Sequence, residues 1–134
     1  MNYIHMFVIM IFSGLLSSMN VWANKASDIR LSLNDFYMAF LMAGWMILFM
    51  AILDNYFNGI LIGIIIIIFF IFAIRTQLFV NQKQFLLGMI PHHSMAITMS
   101  KKLLEKPNDI QDLLFDIINS QQKEIKFMKQ KLKN

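Results

Sequence analysis

Two adjacent histidines, His92 and His93, sit in a stretch rich in thioethers, with Met89 before them and Met95 and Met99 after. If 82–105 is helical, His92, Met95, Ala96, Met99 and Leu103 share one face, with Met89 and His93 at its margin. A second helix over 109–132 would carry Ile110, Leu113, Leu114, Ile117, Gln121, Glu124, Met128 and Leu132 along one face of 3.6 period. Gln121 and Glu124 are the polar exceptions on that face. Folding the two helices antiparallel about Pro107-Asn108 sets His92 and His93 opposite Gln121 and Glu124. The same fold brings Met99 opposite Phe115, and Met89 near Ile125 and Met128. Two imidazoles, several thioethers, a carboxamide and a carboxylate then converge at one level. Thioether with imidazole favours copper, because Met selects the soft Cu(I) ion while His accepts Cu(I), Cu(II) or Zn(II).

A plainer reading stands beside this one. Met fills irregular gaps in apolar cores. A His pair after Pro91 can cap a kinked turn, and Glu124 can pair with His93 as a structural ion pair. Other metal chemistries fit poorly. A di-iron carboxylate centre needs several Glu ligands and Glu-x-x-His pairs that the chain lacks. A zinc hydrolase would show His-x-x-x-His or a His-Glu pairing. No nucleophile or base arrangement stands out, so no catalytic residue is assigned and the chain is not read as an enzyme.

The elements that must position these residues follow from composition. Of 134 residues, 57% are hydrophobic and 15% charged, less charge than a soluble domain carries. The charge is also uneven. Residues 1–74 hold Lys25, Arg30, Asp28, Asp35 and Asp54, whereas 75–134 hold ten basic and five acidic side chains. Uncharged runs cover 2–24 (His5 aside), 36–53 and 55–74, each close to the roughly 20 residues that a helix needs to cross a bilayer. The run 60–71 is rich in β-branched residues, but its length and lack of alternation favour a membrane helix over a strand.

The expected fold is all-α: three transmembrane helices near 4–22, 36–54 and 57–78 within a membrane region 1–78, then a kinked antiparallel hairpin over 79–134. Asn34 or Asp35 is expected to cap the second span. Asn81 with Gln84 and Asn108 with Gln111 look like capped helix starts, and Pro91 should kink the first hairpin helix. Lys126, Lys129, Lys131 and Lys133 complement the helix dipole at the far end. Val21-Trp22-Ala23 resembles a cleavage site, yet no Lys or Arg precedes the apolar run as a signal peptide requires. Met38, Met42, Met46 and Met50, spaced four apart, read as helix packing, with a soft-metal path as the alternative. There is no cysteine, hence no thiolate site. Nothing interleaves aromatic with basic residues as a nucleic-acid surface would.

Gln84-Phe85-Leu86-Leu87-Gly88-Met89-Ile90-Pro91-His92-His93-Ser94-Met95-Ala96-Ile97-Thr98-Met99 resembles the Met-Ile-Pro-His-His signature of the DUF305 family. Ile117-Ile118-Asn119-Ser120-Gln121-Gln122-Lys123-Glu124-Ile125-Lys126-Phe127-Met128 resembles its second signature, Ser-Gln-x-x-Glu-Ile-x-x-Met. The likeness covers about 81–132, and Arg75-Thr76-Gln77 with the three spans resembles a membrane-anchored branch. What it implies is a ferritin-like helix pair and copper binding, with roles for His92, His93, Met95, Met99 and Met128, then Gln121, Glu124 and Met89. Met95 departs from the pattern, since relatives often have a small residue there.

The function expected on this basis is non-enzymatic copper binding, Cu(I) favoured, in sequestration, transfer or tolerance. The alternative is a structural hairpin that dimerises or docks a partner. The expected partners are the lipid bilayer and a second copy of the chain, with no nucleic acid. A bacterial inner membrane is the expected location. Copper handling suggests a periplasmic hairpin, whereas Lys25, Arg30, Arg75 and Lys83, all on one side, place it in the cytoplasm by the positive-inside rule.

Overall fold

The computed structural model describes residues 2–133 and contains no strand among them. Five helices follow in order: α1 Tyr3–Leu16, α2 Leu33–Leu53, α3 Phe57–Thr76, α4 Gln82–Leu104 and α5 Gln111–Lys133. Two short 3-10 segments, Met19–Trp22 and Ala26–Asp28, lie between α1 and α2. Three stretches are long and apolar enough to cross a membrane: Tyr3–Trp22, Leu33–Leu53 and Phe57–Thr76. The chain forms two compact units, Met1–Ser18 with Leu33–Val80, and Met19–Ser32 with Asn81–Asn134. Both are discontinuous. A boundary drawn at 78/79 leaves 19–32 with the spans, whereas the structure gives that segment to the hairpin.

In the first unit, α2 packs against both α1 and α3 through small residues. Ala39, Ala43, Gly44 and Ala51 of α2 and Gly59, Gly63 and Ala73 of α3 are buried. A Cβ on Gly63 would stand 2.9 Å from the Leu48 backbone, and one on Gly14 would stand 2.9 Å from Ala39 Cα. Lipid-type packing depends on this close approach, because apolar side chains gain little from leaving acyl chains for one another. The large side chains point outward instead, among them Phe49, Ile65, Ile68 and Phe72. The methionine ladder divides accordingly. Met42 packs on Gly14, while Met38 is exposed.

The ends of the spans differ from the sequence reading in small, explicable ways. α1 stops at Leu16 rather than 22, where Ser17 and Ser18 interrupt the apolar run. Asn20 then turns the chain, accepting from Arg30 N at 2.8 Å and donating to Arg30 O at 2.7 Å. α2 begins at Leu33, so Asn34 and Asp35 lie inside its first turn rather than at the capping position before it. Asn34 instead pairs with the Gln77 side chain at 3.0 Å. Asn55 and Gln77 adopt left-handed φ values, 52° and 51°, where α2 and α3 end, a conformation that closes a helix.

The second unit is a hairpin with a segment laid along it. Asn81 caps α4 by accepting from Gln84 N at 3.0 Å, and the helix continues through a buried Pro91. Asn108 organises the turn before α5: it accepts from Ile110 N and donates to Leu103 O and Lys106 O. Leu86, Ile90, Ile97, Ile125 and Met128 form the core, with Met89, Ile118 and Leu132 packed against it. The buried face of α5 is therefore turned from the one the periodicity suggests: Ile125 is inside, whereas Ile110, Leu113 and Glu124 are exposed.

Asp28 joins 19–32 to the hairpin. Its carboxylate is only 2% exposed; it accepts from Ser94 Oγ at 2.7 Å and pairs with the Lys129 ammonium. Ser94 Oγ in turn accepts from Asn24 N at 2.8 Å, and Lys129 also donates to Ser27 Oγ at 3.1 Å. Burial pushes the Asp28 carboxyl up, but the bonds from Lys129 and Ser94 and the charges of Lys129 and Lys25 outweigh it and hold it below the ordinary value. The contribution of this group to stability is therefore present above that ordinary value and lost as pH falls through the lower folded one. Replacing Asp28 by Asn leaves Lys129 without its counter-charge and should cost about 3 kcal/mol. Amide exchange should then quicken across 19–32 while α4 and α5 stay protected; unchanged protection of 19–32 would show the pair to be dispensable.

Candidate functional site

The His pair lies at the middle of α4, where Pro91, Ile90 and Ser94 are buried and fix the register. From that anchored turn His92 is directed outward and exposed, while His93 is half-buried against α5. The two rings are 5.9 Å apart and tilted 57°. His93 Nδ1 lies 2.9 Å from Glu124 Oε2, yet it has no aligned hydrogen-bond partner. The approach is close without being a directed bond, and it is an ion pair only when His93 is protonated. Gln121, one turn before Glu124, holds a buried Oε1 that also lacks a partner. Two orphaned polar atoms on the facing helices of one small hairpin are uncommon, since buried groups of this kind are nearly always paired.

The structure places the other expected ligands differently. Met128 is buried in the core and Met89 packs on it, so both thioethers serve apolar packing. Met95 is half-buried beside the His pair in sequence. Met99 is 54% exposed and borders an apolar groove with Ala96, Leu103, Leu114 and Ile117. Seven residues of helix, about 10 Å of rise, separate it from His92. His93 and Glu124 thus meet, with His92 adjacent and Gln121 one helical turn before Glu124 on α5, whereas the thioethers divide between core and surface. Among the described residues, no three His, Asp or Glu side chains close around one point.

The Asp28, Ser94 and Lys129 cluster escaped the sequence reading. Only one signal pointed to it: the 14 residues of 19–32 are more than an antiparallel helix connection needs. Nothing in their pattern said that the segment returns to a hairpin some 70 residues later.

Fold and site together define an all-α chain with three span-length apolar helices and a hairpin that carries adjacent histidines. The DUF305 family, described as a domain of unknown function, matches residues 75–132. The chain is also 55% identical over 123 residues to "Uncharacterized protein L153" of Acanthamoeba polyphaga mimivirus, covering 87% of this chain and 81% of that protein. The chain belongs to the DUF305 family. No solved structure matches it.

Burial lowers the His93 pKa; Glu124 opposes this by raising it, and the neighbouring His92 adds to the lowering. The folded chain therefore takes up this proton less readily than the unfolded chain. Stability is full above the ordinary value of 6.5 and declines as pH falls from there towards the folded value. In NMR titration of the imidazole protons, His93 should stay neutral at pH 6.5 and titrate below it. Replacing Glu124 by Gln removes the one raising influence and should move the midpoint lower still. A His93 midpoint at or above 6.5 would contradict this environment.

Proposed function

We propose that this protein is a membrane-anchored, non-enzymatic metal-binding protein, and that its hairpin holds copper in sequestration, transfer or tolerance. The observation that carries the reading is the pair of buried, unpartnered atoms, His93 Nδ1 and Gln121 Oε1, beside the Glu124 carboxylate. His93, Glu124 and Gln121 would hold the ion, with His92 at the rim and Met95 and Met99 on the adjoining outward stripe. A neutral imidazole offers a lone pair without first losing a proton, and the lowered His93 pKa supports that state. The preference for Cu(I) rests on Met95 and Met99, since Met89 and Met128 pack the core. A copper ion there would be cargo, held and released.

A second reading has its own support. The close His93–Glu124 approach and the buried thioethers suit a hairpin that serves as an interaction element, dimerising or docking a partner. The two separate in a Cu(I) titration of the full chain in detergent. Replacing both His92 and His93 by Ala should abolish most binding and keep helix content. Replacing Met99 by Leu should weaken binding at little cost in stability, because the volumes are similar. A double His variant that binds copper as well as the parent would favour the interaction reading.

We place the hairpin on the extracytoplasmic face, the periplasmic one in a bacterial inner membrane, as copper handling there requires. The mimivirus relative means that similar sequences also occur outside bacteria. After three crossings 19–32 and the hairpin share one side, as the buried Asp28–Lys129 pair needs. An accessibility tag after Asn134 should report from outside the cytoplasm. A cytoplasmic signal would favour the rule that puts Lys25, Arg30, Arg75 and Lys83 inside, and would remove the periplasmic role.

A further inference from the structure

A cleft of about 520 Å³ opens between 19–32 and α5, on a different part of the hairpin from the His pair. Its ionisable lining is Lys25, Asp28, Lys126, Lys129 and Lys133. Four lysines and one carboxylate leave three positive charges, because Asp28 is paired with Lys129. Ile97 and Ile125 contribute its apolar lining, and Asn24, Ser27, Gln122 and Gln130 bring polar groups. The helix dipole accounts for lysines near the end of α5. It does not account for Lys25, which the other wall delivers from the far end of the sequence. Like charges gathered around a concave, partly apolar space focus a positive potential there, and an anion relieves their mutual repulsion.

We propose that this cleft binds a phosphate group, either free or as the headgroup of an anionic lipid. Lys25, Lys126 and Lys133 supply the charge, as compact ammonium groups that suit phosphate oxygens. Gln122 and Gln130 offer amide donors. The pair formed by Asp28 and Lys129 holds the two walls together, so 19–32 docks whether or not the cleft is filled. Both sources of phosphate are open to it, since the wall that carries Lys25 is bounded in sequence by the spans Tyr3–Trp22 and Leu33–Leu53. The site is independent of any metal on the His pair.

The test uses the full chain in a zwitterionic detergent at low salt, titrated with inorganic phosphate by calorimetry. A parallel arm adds phosphatidylglycerol or phosphatidylcholine and reads bound lipid by native mass spectrometry. The parent should bind one phosphate saturably, and K25Q/K126Q/K133Q should bind about tenfold more weakly, as the loss of three partly screened charges implies. A control, K102Q/K106Q/K123Q, removes the same charge away from the cleft and should bind as the parent does. If the triple variant loses helix content, Lys126→Glu alone on the exposed face of α5 should lower affinity in the same direction. Phosphatidylglycerol that binds and displaces phosphate identifies the lipid headgroup as the ligand; phosphate bound without such displacement identifies the free ion. Absent or unsaturable binding of both by the parent would overturn the proposal, as would an equal loss in the control.

Discussion

The second unit depends on one buried carboxylate. Asp28 carries a negative charge to a place that is 2% exposed, and such a charge persists there only if it is paired and hydrogen-bonded, here with a strong donor on each oxygen. Ser94 of α4 and Lys129 of α5 supply those donors. A single side chain from the segment between two spans therefore ties that segment to both helices of the hairpin. Ser94 stands next to His93, so the turn of α4 that holds the segment also sets the direction of the imidazoles. Three hydroxyl bonds and one ion pair do for this unit what a larger apolar core does in a bigger domain.

That arrangement bears on how the hairpin can carry chemistry. Its core is thin, with five buried apolar residues and three partly buried ones around them. Met89 and Met128 are needed there, and a thioether packed in a core is not free to meet an ion at the surface. What remains beside His92 and His93 is harder in character, a carboxylate and a carboxamide, with soft thioethers only in the half-buried Met95 and in the exposed Met99 two turns along α4. The unpartnered atoms of His93 and Gln121 mark the place where packing left polar demand unanswered. A cation is one answer to that demand, and a structural ion pair with Glu124 is another.

The two compact units solve opposite problems with opposite residues. In the spans, small residues face inward and bulky ones outward, as Gly63 against Leu48 illustrates. In the hairpin, bulky residues such as Ile90 and Ile97 are wholly or almost wholly buried, and lysines face outward. The contrast accords with first-unit helices long and apolar enough to cross a membrane, since apolar side chains gain from leaving water and gain little from leaving lipid. Membership of the DUF305 family rests on the second unit and the end of α3, and the longer viral likeness extends to most of the chain.

Much of this was legible in the residues. Uncharged runs of span length, Asn81 as a helix cap, the Pro107-Asn108 turn and the level of His93 with Glu124 all follow from local rules of length, period and capping. Local rules also placed α1 but carried it past Ser17 and Ser18, where the helix stops and Asn20 turns the chain by bonding to Arg30, ten residues on. The tertiary structure alone decided which thioethers lie inside, since Met89, Met95 and Met99 project within about a third of a turn of one another and the rotation of α4 against α5 sets which of them meets the core. It alone brought Asp28 to Ser94 and Lys129, and Lys25 to Lys126 and Lys133. A periodic pattern carries information about the next turn of helix and none about a segment 70 to 100 residues away; that pairing is set by the charge and hydrogen-bonding needs of groups that meet only once the chain has folded.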